Sequence, residues 1–417
     1  MINAHQILKE LNFERLAGSA NETKAIKIIT KYLGQLKVKH QLEPFQLHAF
    51  DTGTAAISCG GKTFRAHPFG LTKSQTISGE LVYLEDLELL VNDRGSYQGK
   101  IILTYSYGRK LVEAIKRSGA KALIDIGSPQ REAPSWSYRQ KNYEEGYIPS
   151  ATVSYEDGAK LAGLSGKKAT LKIKQTVSRR TARNIIVDIK GTGSDRTLTL
   201  AVGHYDSVAR SPGSCDNGGG VVSLLKAVEH FARHRPARDL RVIFFSGEEM
   251  GLRGSFSYVE KHKKEIAERA GLVVNIDVGG DDLGLNHFEV LGTSQLQGYV
   301  CGITREIGHY FRSGVDIYSS DCMPFAVYEV PSVNISREGG QSSFNIHTPG
   351  DTVEYTSARG LQPTIEAGIN LLDRALNAKI YPVNKEIDRS LKDKIEKYLW
   401  NALQVPPEMK WTPEYKK

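Results

Sequence analysis

Apolar residues recur at helical spacing in the first part of the chain. They are Ile7, Leu8 and Leu11, followed by Ile26, Ile28, Ile29, Tyr32 and Leu33. This spacing predicts helices within residues 1–46, and Asn21 with its neighbours Glu22 and Thr23 offers a cap for the second run. We expect these N-terminal helices to pack on the sheet of a main domain.

Between residues 47 and 183 short strand-like runs replace the helical pattern. The runs are 79–85, 100–107, 121–128, 151–155 and 169–176. Turn residues separate them, and one amphipathic helix, 109–120, lies among them. The pattern predicts a mostly β insert.

From residue 184 to about 380 strands and helices alternate. The predicted strands are 184–191, 197–204, 240–249, 272–278, 288–292 and 332–337; the predicted helices are 218–234, 255–270, 295–311 and 361–376. Nearly continuous apolar strands between amphipathic helices are typical of an α/β fold with a mostly parallel mixed sheet sandwiched by helices. In such sheets ligands bind beyond the carboxyl ends of the strands. Residues 381–417 are predicted to form a C-terminal helix and tail.

The length and composition of the chain predict the number of domains and the cellular compartment. A chain of 417 residues favours two domains, and 40% hydrophobic with 24% charged residues is typical of a folded globular protein. No apolar stretch follows a basic start, and no segment approaches eighteen apolar residues, so we expect a cytoplasmic enzyme with no membrane partner, provided that Met1 is the true start.

The formal net charge of +8 raises the question of a polyanionic partner. A nucleic-acid footprint would be a basic stripe or a known motif, whereas here the positive residues are scattered. The densest basic run, Arg179, Arg180 and Arg183, is interpreted as a solvated linker between two strands. We therefore predict no nucleic-acid partner.

Acidic and histidine side chains follow three of the predicted strands directly. His204 and Asp206 come after the first, Glu248 and Glu249 after the second, and Asp277 after the third. Because these strands are expected to adjoin, the five side chains should meet at one rim of the sheet.

Two more candidates lie in loops beside the same rim. Asp216 lies in a glycine-rich turn that opens a helix, and His347 lies in a loop after another strand. Each candidate has an ordinary explanation on its own: Asp216 as a helix cap, Glu248 and Glu249 as a solvated acidic turn, a histidine as a packed side chain. Carboxylates and imidazoles that converge on one rim, however, would repel one another without cations, and two divalent metals would neutralise them.

The ligand types favour zinc. Imidazole and carboxylate ligands without thiolate suit Zn²⁺, and Co²⁺ or Mn²⁺ can occupy the same ligands. The four cysteines lie far apart and form no C-x-x-C pair, which argues against a thiolate zinc site and against a disulfide framework; they are Cys59, Cys215, Cys301 and Cys322. Two zinc ions can share a carboxylate and a water whose pKa falls toward neutrality. Adjacent glutamates point in different directions, so one can bind metal while the other takes the proton of the water.

Five motifs in order carry a family resemblance: GHYDSV, DNGGG, SGEEMGLRGS, NIDV and HTPGDT. Together they resemble the co-catalytic dinuclear zinc aminopeptidase family, which also includes glutamate carboxypeptidases, glutaminyl cyclases and transferrin receptor. The resemblance covers 184–380 and the RLAGS segment near the N-terminus, and it implies the zinc-exopeptidase, phosphorylase/hydrolase-like fold.

The resemblance implies a role for each candidate. One zinc ion would be held by His204 and Asp277, the other by Glu249 and His347, with Asp216 as the bridge. Glu248 would be the general base and later the proton donor. Asp206 would orient and polarise His204 as a neighbouring carboxylate. For Tyr318 two roles remain open: packing, or a contribution to the stabilisation of the oxyanion.

The insert resembles a protease-associated domain over 98–126 and 147–161. Such a domain would restrict access to the cleft, and a spacer that only stabilises the fold is the alternative. For the whole chain the resemblance implies a metallo-aminopeptidase that removes N-terminal residues from peptides with a hydroxide bound to two zinc ions. A zinc carboxypeptidase or other exopeptidase of the family is the main alternative, and an inactive receptor or scaffold is disfavoured because every expected ligand position is filled. Peptides with a free N-terminus are the expected partners; a homo-oligomer is left open.

Overall fold

The structure is a computed structural model that describes residues 2–105, 107–108 and 111–399 of the chain. Its strands are β1 Gln41–Phe50, β2 Thr54–Cys59, β3 Lys62–Pro68, β4 Gln75–Leu84, β5 Ile101–Thr104, β6 Ala122–Ile126, β7 Ser150–Val153, β8 Lys168–Lys174, β9 Val177–Ile189, β10 Leu198–His204, β11 Asp239–Phe245, β12 Ala270–Ile276, β13 Leu285–Leu291, β14 Arg312–Gly314 and β15 Ser332–Glu338. Its helices are α1 Ala4–Glu10, α2 Ala20–Gln35, α3 Val112–Arg117, α4 Gln140–Glu145, α5 Tyr155–Ala162, α6 Gly219–Arg233, α7 Arg253–Arg269, α8 Ser294–Glu306, α9 Gln341–Phe344, α10 Ala358–Asn377 and α11 Arg389–Lys397.

The main domain is built on an eight-stranded mixed sheet in the order β1-β9-β11-β10-β12-β15-β13-β14. Its four central strands, β11, β10, β12 and β15, run parallel to their neighbours in that group. Antiparallel pairs flank them on both sides, β1 with β9 and β9 with β11 on one, and β13 with β15 on the other. The predicted α/β class with a mostly parallel mixed sheet is confirmed.

Both faces of the sheet are buried under helices. The second half of β11, residues 242–245, is apolar throughout because it is buried on both faces: Val242 and Phe244 join the cluster beneath α1, α2, α6, α8 and α10, whereas Ile243 and Phe245 join the cluster beneath α7 and α11. A strand that is buried on both faces cannot alternate apolar with polar residues. Among the described residues no helix is both long and apolar enough to cross a bilayer.

The backbone at the start of α6 packs directly against the backbone at the end of β12, with no side chain between them. A Cβ on Gly219 would collide with the carbonyl oxygen of Gly279, and one on Gly220 would collide with that of Ile276. The run of glycines therefore has a packing reason, because no side chain fits between this helix and the strand. The close approach brings the turn that carries Asp216 beside the end of β12.

The other seven strands close into a barrel in the order β2-β3-β7-β6-β5-β4-β8. The barrel has its own apolar interior, which includes Ile57, Leu103, Ile124 and Leu171. The insert is therefore mostly β. The proposed likeness to a protease-associated domain stays a prediction.

The barrel is shorter than the predicted insert. Strands β1 and β9 belong to the main sheet and pair over ten residues, from Gln41 with Ile186 to Phe50 with Val177. The predicted ends, 47 and 183, thus lie inside two strands of the main sheet, and the barrel strands occupy 54–174. Pro44 makes β1 hard to predict, because proline has no N–H to donate and is rare inside strands. It is tolerated here because β1 lies at the edge of the sheet.

Three further predictions can be compared with the structure: the basic run 179–183, the helix 109–120 and the C-terminal helix. Arg179, Arg180 and Arg183 lie within β9 rather than in a linker, and Arg180 pairs with Asp51 at 2.7 Å. The predicted helix 109–120 is seen as α3, and residues 109 and 110 lie outside the described residues. The predicted C-terminal helix corresponds to α11, and 400–417 lie outside the described residues.

Candidate metal centre

Three adjacent parallel strands deliver the predicted acidic and histidine residues to one edge of the sheet. Strand β10 ends at His204, β12 is followed at once by Asp277, and β11 leads through a two-residue turn to Glu248 and Glu249. Strand β10 lies between the other two. The carboxyl ends therefore meet, as the sequence predicted.

One group of side chains centres on His204. Its Nε2 atom lies 3.2 Å from Asp216 Oδ1 and 3.2 Å from Asp277 Oδ1. All three side chains are buried. Their ligand atoms lie within 4.8 Å of one another, a spacing that one metal ion can bridge.

A second group centres on His347. Its Nε2 atom lies 3.2 Å from Asp216 Oδ2 and 3.2 Å from Glu249 Oε2. His347 lies in the loop after α9 with a positive φ of 64°, and its side chain is about one-third exposed. The two oxygens of Asp216 thus face two different imidazoles, which is the arrangement that a bridging carboxylate requires.

The atoms of both groups have the spacing that zinc needs. In a tetrahedral site with bonds of about 2.0–2.1 Å, neighbouring ligand atoms are about 3.3 Å apart. The four imidazole-to-carboxylate distances are each 3.2 Å. Each group supplies three protein ligands, which leaves a fourth position for water or substrate. The donor set and its geometry therefore fit a pair of zinc ions.

The pKa values of the two histidines indicate that negative charge is concentrated in both groups. Burial works to lower the pKa of His204, yet the carboxylate of Asp277 and its neighbours raise it well above its usual value. The pKa of His347 is raised well above its usual value in the same way, with Glu249 as the main opposing influence to burial. The neighbouring carboxylates that raise both pKa values would equally stabilise a bound cation.

Glu248 lies beside both groups but belongs to neither. It is half-buried and lines a cavity of about 260 Å³ together with the ligand residues. Burial raises the pKa of its carboxyl well above the usual value, and the nearby Glu249 adds to this. Tyr318 lines the same cavity; burial and the charge of Asp277 raise the pKa of its phenol.

Asp206 contacts both His204 and the glutamate turn. His204 Nδ1 lies 3.2 Å from the Asp206 main-chain oxygen and 3.6 Å from its Oδ1. The two carboxylate oxygens accept the backbone N–H groups of Glu248 at 3.2 Å and Glu249 at 3.4 Å. The predicted polarisation of His204 by this carboxylate stays a prediction, while the bonds to the turn give Asp206 a further positioning role.

Two residues that support the site were missed by the sequence reasoning. Asp351 accepts the backbone N–H of Asp216 at 3.0 Å, and its only sequence signal is its place in the HTPGDT motif. Arg15, in the RLAGS segment, is fully buried and donates to the carbonyls of Tyr205 at 2.7 Å and Gly213 at 2.8 Å. Both residues act on main-chain groups, which a pattern of side chains does not reveal.

The barrel reaches the site through residues 131–140. In this segment Ser135 donates its N–H to the His347 carbonyl at 2.8 Å and its hydroxyl to the Ala209 carbonyl at 2.6 Å. Arg131 donates to the Phe344 carbonyl at 2.8 Å. The insert is thus bonded to the loop that carries His347.

The main domain is similar to a known family of peptidases. Residues 184–372 match the model of Peptidase family M28. This span contains all seven predicted site residues and the parallel centre of the sheet. The α/β domain of this chain matches peptidase family M28, and this match supports a peptidase of the hydrolase class.

Several individual proteins are similar over much of the chain. Aminopeptidase YwaD of Bacillus subtilis is 29% identical over 378 residues, which covers 85% of this chain and 80% of the relative. The probable leucine aminopeptidase 2 of Arthroderma benhamiae is 29% identical over 60% of this chain, and the match spans about half, 51%, of its own length. The solved structure of BSAP, a zinc aminopeptidase from Bacillus subtilis, has a TM-score of 0.76 at 22% identity and covers 92% of this chain and 98% of its own. That likeness shows the shared fold.

Proposed function

We infer that the protein is a metallo-aminopeptidase that acts with two zinc ions. The observation that carries this proposal is the pair of ligand groups that share Asp216, each with three ligand atoms at the spacing of a zinc site. The match to family M28 supports peptide hydrolysis, and the relatives named aminopeptidases support action at the N-terminus. The printed name of BSAP as a zinc aminopeptidase supports the choice of metal.

In this proposal His204 and Asp277 would hold one zinc ion, Glu249 and His347 would hold the other, and Asp216 would contribute one oxygen to each. The bound ions would lower the pKa of a shared water toward neutrality and polarise the carbonyl of the scissile peptide bond.

Glu248 is the proposed general base. Its carboxylate lines the cavity beside both ligand groups and can accept a proton from the attacking water. The same carboxyl then returns the proton to the nitrogen of the leaving amine. A carboxyl whose pKa is raised by burial suits both steps, since it accepts and releases a proton near neutral pH more readily than an exposed glutamate.

Asp206 is the proposed positioning residue for this base. Its carboxylate accepts the N–H groups of Glu248 and Glu249 and so fixes the turn from which Glu249 would hold a metal ion and Glu248 would accept the proton of the water. Its main-chain oxygen contacts His204 Nδ1, which leaves Nε2 directed at the metal position.

The test combines metal analysis with matched substrates. Elemental analysis of the purified protein should find two zinc ions per chain, and activity on leucine p-nitroanilide should disappear with a chelator and return with zinc. N-acetyl-leucine p-nitroanilide should not be cleaved, because an aminopeptidase needs a free amine. Cleavage of the acetylated substrate alone would exclude aminopeptidase action and favour another exopeptidase of the family.

A further inference from the structure

Tyr398, at the C-terminal end of α11, supplies an aromatic side chain to the wall of the cavity at the candidate metal centre. It lines that cavity together with Glu248. Burial raises the pKa of its phenol, the hydrogen bond to Ser319 opposes this effect, and the nearby charge of Glu248 adds to it. The match to the family model ends at residue 372, so this part of the wall comes from a helix beyond the matched domain.

The apolar side of α11 is anchored in the core of the main domain. Leu391, Ile395 and Leu399 recur every fourth residue, are buried, and join the cluster beneath α7 and α11. Just before the helix, the N–H of Asp388 donates to the Gly292 carbonyl at 3.1 Å. Helix α11 is therefore fixed against the main domain, and the backbone of the residue that follows it is fixed with it.

Helix α11 also holds the loop after β14, which forms part of the cavity wall. Lys394 Nζ lies 2.8 Å from Asp316 Oδ2, and one helical turn later the hydroxyl of Tyr398 shares a hydrogen bond with Ser319 Oγ. Tyr318 lies between these two contacts and lines the cavity. The ring of Tyr398 is thus held at its hydroxyl end as well as at its backbone, and it forms a fixed part of the wall.

The cavity has room for about one substrate residue. Its volume of about 260 Å³ lies just below the range of about 300–1,000 Å³ that is common for ligand pockets. Its apolar lining includes Leu252, Val278 and Ile346. In an aminopeptidase substrate the free amine and the scissile carbonyl are attached to the Cα that carries the first side chain. With both groups at the candidate metal positions, that side chain has to lie in the cavity, whereas the rest of the peptide can extend away from it.

We propose that Tyr398 is a specificity-determining residue whose ring closes the pocket for the side chain of the N-terminal substrate residue and limits the size of that side chain. This inference rests on the proposed function and deepens it, because it names the substrate class: peptides that begin with an aliphatic residue no larger than leucine. A fixed ring discriminates by steric exclusion, since a larger side chain that meets it loses its alignment with the metal centre.

Two substrates with the same leaving group test the size limit: leucine p-nitroanilide and phenylalanine p-nitroanilide. The zinc-loaded wild type should cleave the leucine substrate with the higher kcat/KM. In Tyr398→Ala the ratio of phenylalanine to leucine kcat/KM should rise about 10-fold or more, because even one methylene group of misfit in an apolar pocket is worth roughly 10- to 200-fold. In Tyr398→Trp, which narrows the pocket, the same ratio should fall.

Three further measurements accompany this pair of variants. Tyr310→Ala, at an exposed tyrosine of the main domain, is the matched control and should leave the ratio unchanged. Tyr398→Leu keeps an apolar side chain against the core and should also raise the ratio, so it provides the test if the alanine variant does not fold. Calorimetric titration of the zinc-loaded proteins with free L-leucine and L-phenylalanine should show the same shift in relative affinity without turnover.

A purely structural role for Tyr398 predicts a different result. In that case kcat/KM would fall by the same factor on both substrates, with a lower thermal midpoint. A uniform loss, an unchanged ratio, or a wild type that cleaves the phenylalanine substrate as well as the leucine substrate overturns the inference and leaves the proposed function intact. Failure of the zinc-loaded wild type to cleave either substrate would overturn both.

Discussion

Asp351 holds Asp216 by its main chain: Asp351 Oδ2 accepts the Asp216 N–H at 3.0 Å. Its other oxygen accepts the N–H of Cys215 at 2.8 Å and the hydroxyl of Ser342 at 2.6 Å. Asp216, whose carboxylate faces both imidazoles, is thus held through its main chain by the carboxylate of Asp351. Because Asp351 is only four residues from His347, one loop supplies both a candidate ligand and the residue that supports Asp216, the candidate bridge.

Replacement of Asp351 tests this support. In Asp351→Asn one oxygen becomes a donor that faces backbone N–H groups, so the turn of Asp216 should shift and zinc affinity should fall about 10- to 100-fold. Titration with a competing chelator measures the affinity. Asp393→Asn, on the exposed side of α11, is the control. Unchanged affinity in Asp351→Asn would show that the turn holds its shape without this contact.

Replacement of Glu248 separates base from ligand. Glu248→Gln should bind both zinc ions as the wild type does and lose about 100- to 10,000-fold in kcat, because the amide cannot accept the proton of the water. Stopped assays with leucine p-nitroanilide and elemental analysis give the two values. Glu260→Gln, on the exposed face of α7, should behave as wild type. Loss of zinc from Glu248→Gln would mean that the roles of Glu248 and Glu249 are exchanged.

Replacement of Asp216 tests the bridge. Asp216→Ala removes a ligand atom from both groups, so the protein should bind less zinc and the zinc-dependent rise in its thermal midpoint should shrink or vanish. Differential scanning calorimetry with and without zinc measures this rise. A variant that still holds two zinc ions tightly would contradict the shared-ligand arrangement.

A buried carboxyl in the barrel predicts a dependence of stability on pH. Burial raises the pKa of Asp125 to about 7, and its Oδ2 accepts the indole N–H of Trp136 at 2.8 Å. The folded state therefore keeps this proton more tightly than the unfolded state does. The stabilisation is complete below the ordinary pKa of about 4, is lost as pH rises toward 7, and is level above 7.

The Asp125→Asn variant should lack this dependence. Between pH 4 and pH 7 the wild type should lose at most about 4 kcal/mol of unfolding free energy more than the variant does, since each pKa unit corresponds to about 1.4 kcal/mol. Urea titrations followed by tryptophan fluorescence at pH 4.5, 6 and 8 provide the comparison. Parallel curves for the two proteins would show that Asp125 titrates at its ordinary pKa.

The candidate site could be predicted because the ends of the strands can be recognised in the sequence. Apolar runs end at His204 and just before Asp277, and parallel neighbours must bring these ends to one edge of the sheet. The order of the sheet and the distances between ligand atoms required the structure. They depend on contacts such as the approach of α6 to Gly279, which no periodicity encodes.

The parts that escaped prediction depend on long-range contacts or on one atypical residue. Strand β1 was missed because Pro44 is atypical of a strand, although an edge strand accepts it. Arg139, which lines the cavity of the candidate metal centre, was not predicted there because its place depends on α4 lying against β1, about ninety positions away in sequence. A basic side chain in a turn has no distinguishing pattern of its own.

The antiparallel pairing of β1 and β9 makes the whole barrel an enlarged hairpin loop. Phe50 pairs with Val177, and the N–H of Asp51 still bonds to the Thr176 carbonyl at 3.0 Å, so the chain departs and returns at one point. A tight turn could close this hairpin without rethreading the main sheet. A gene that gained or lost the barrel would keep the strands that carry the candidate ligands, so in this architecture the barrel can change independently of the sheet edge where they meet.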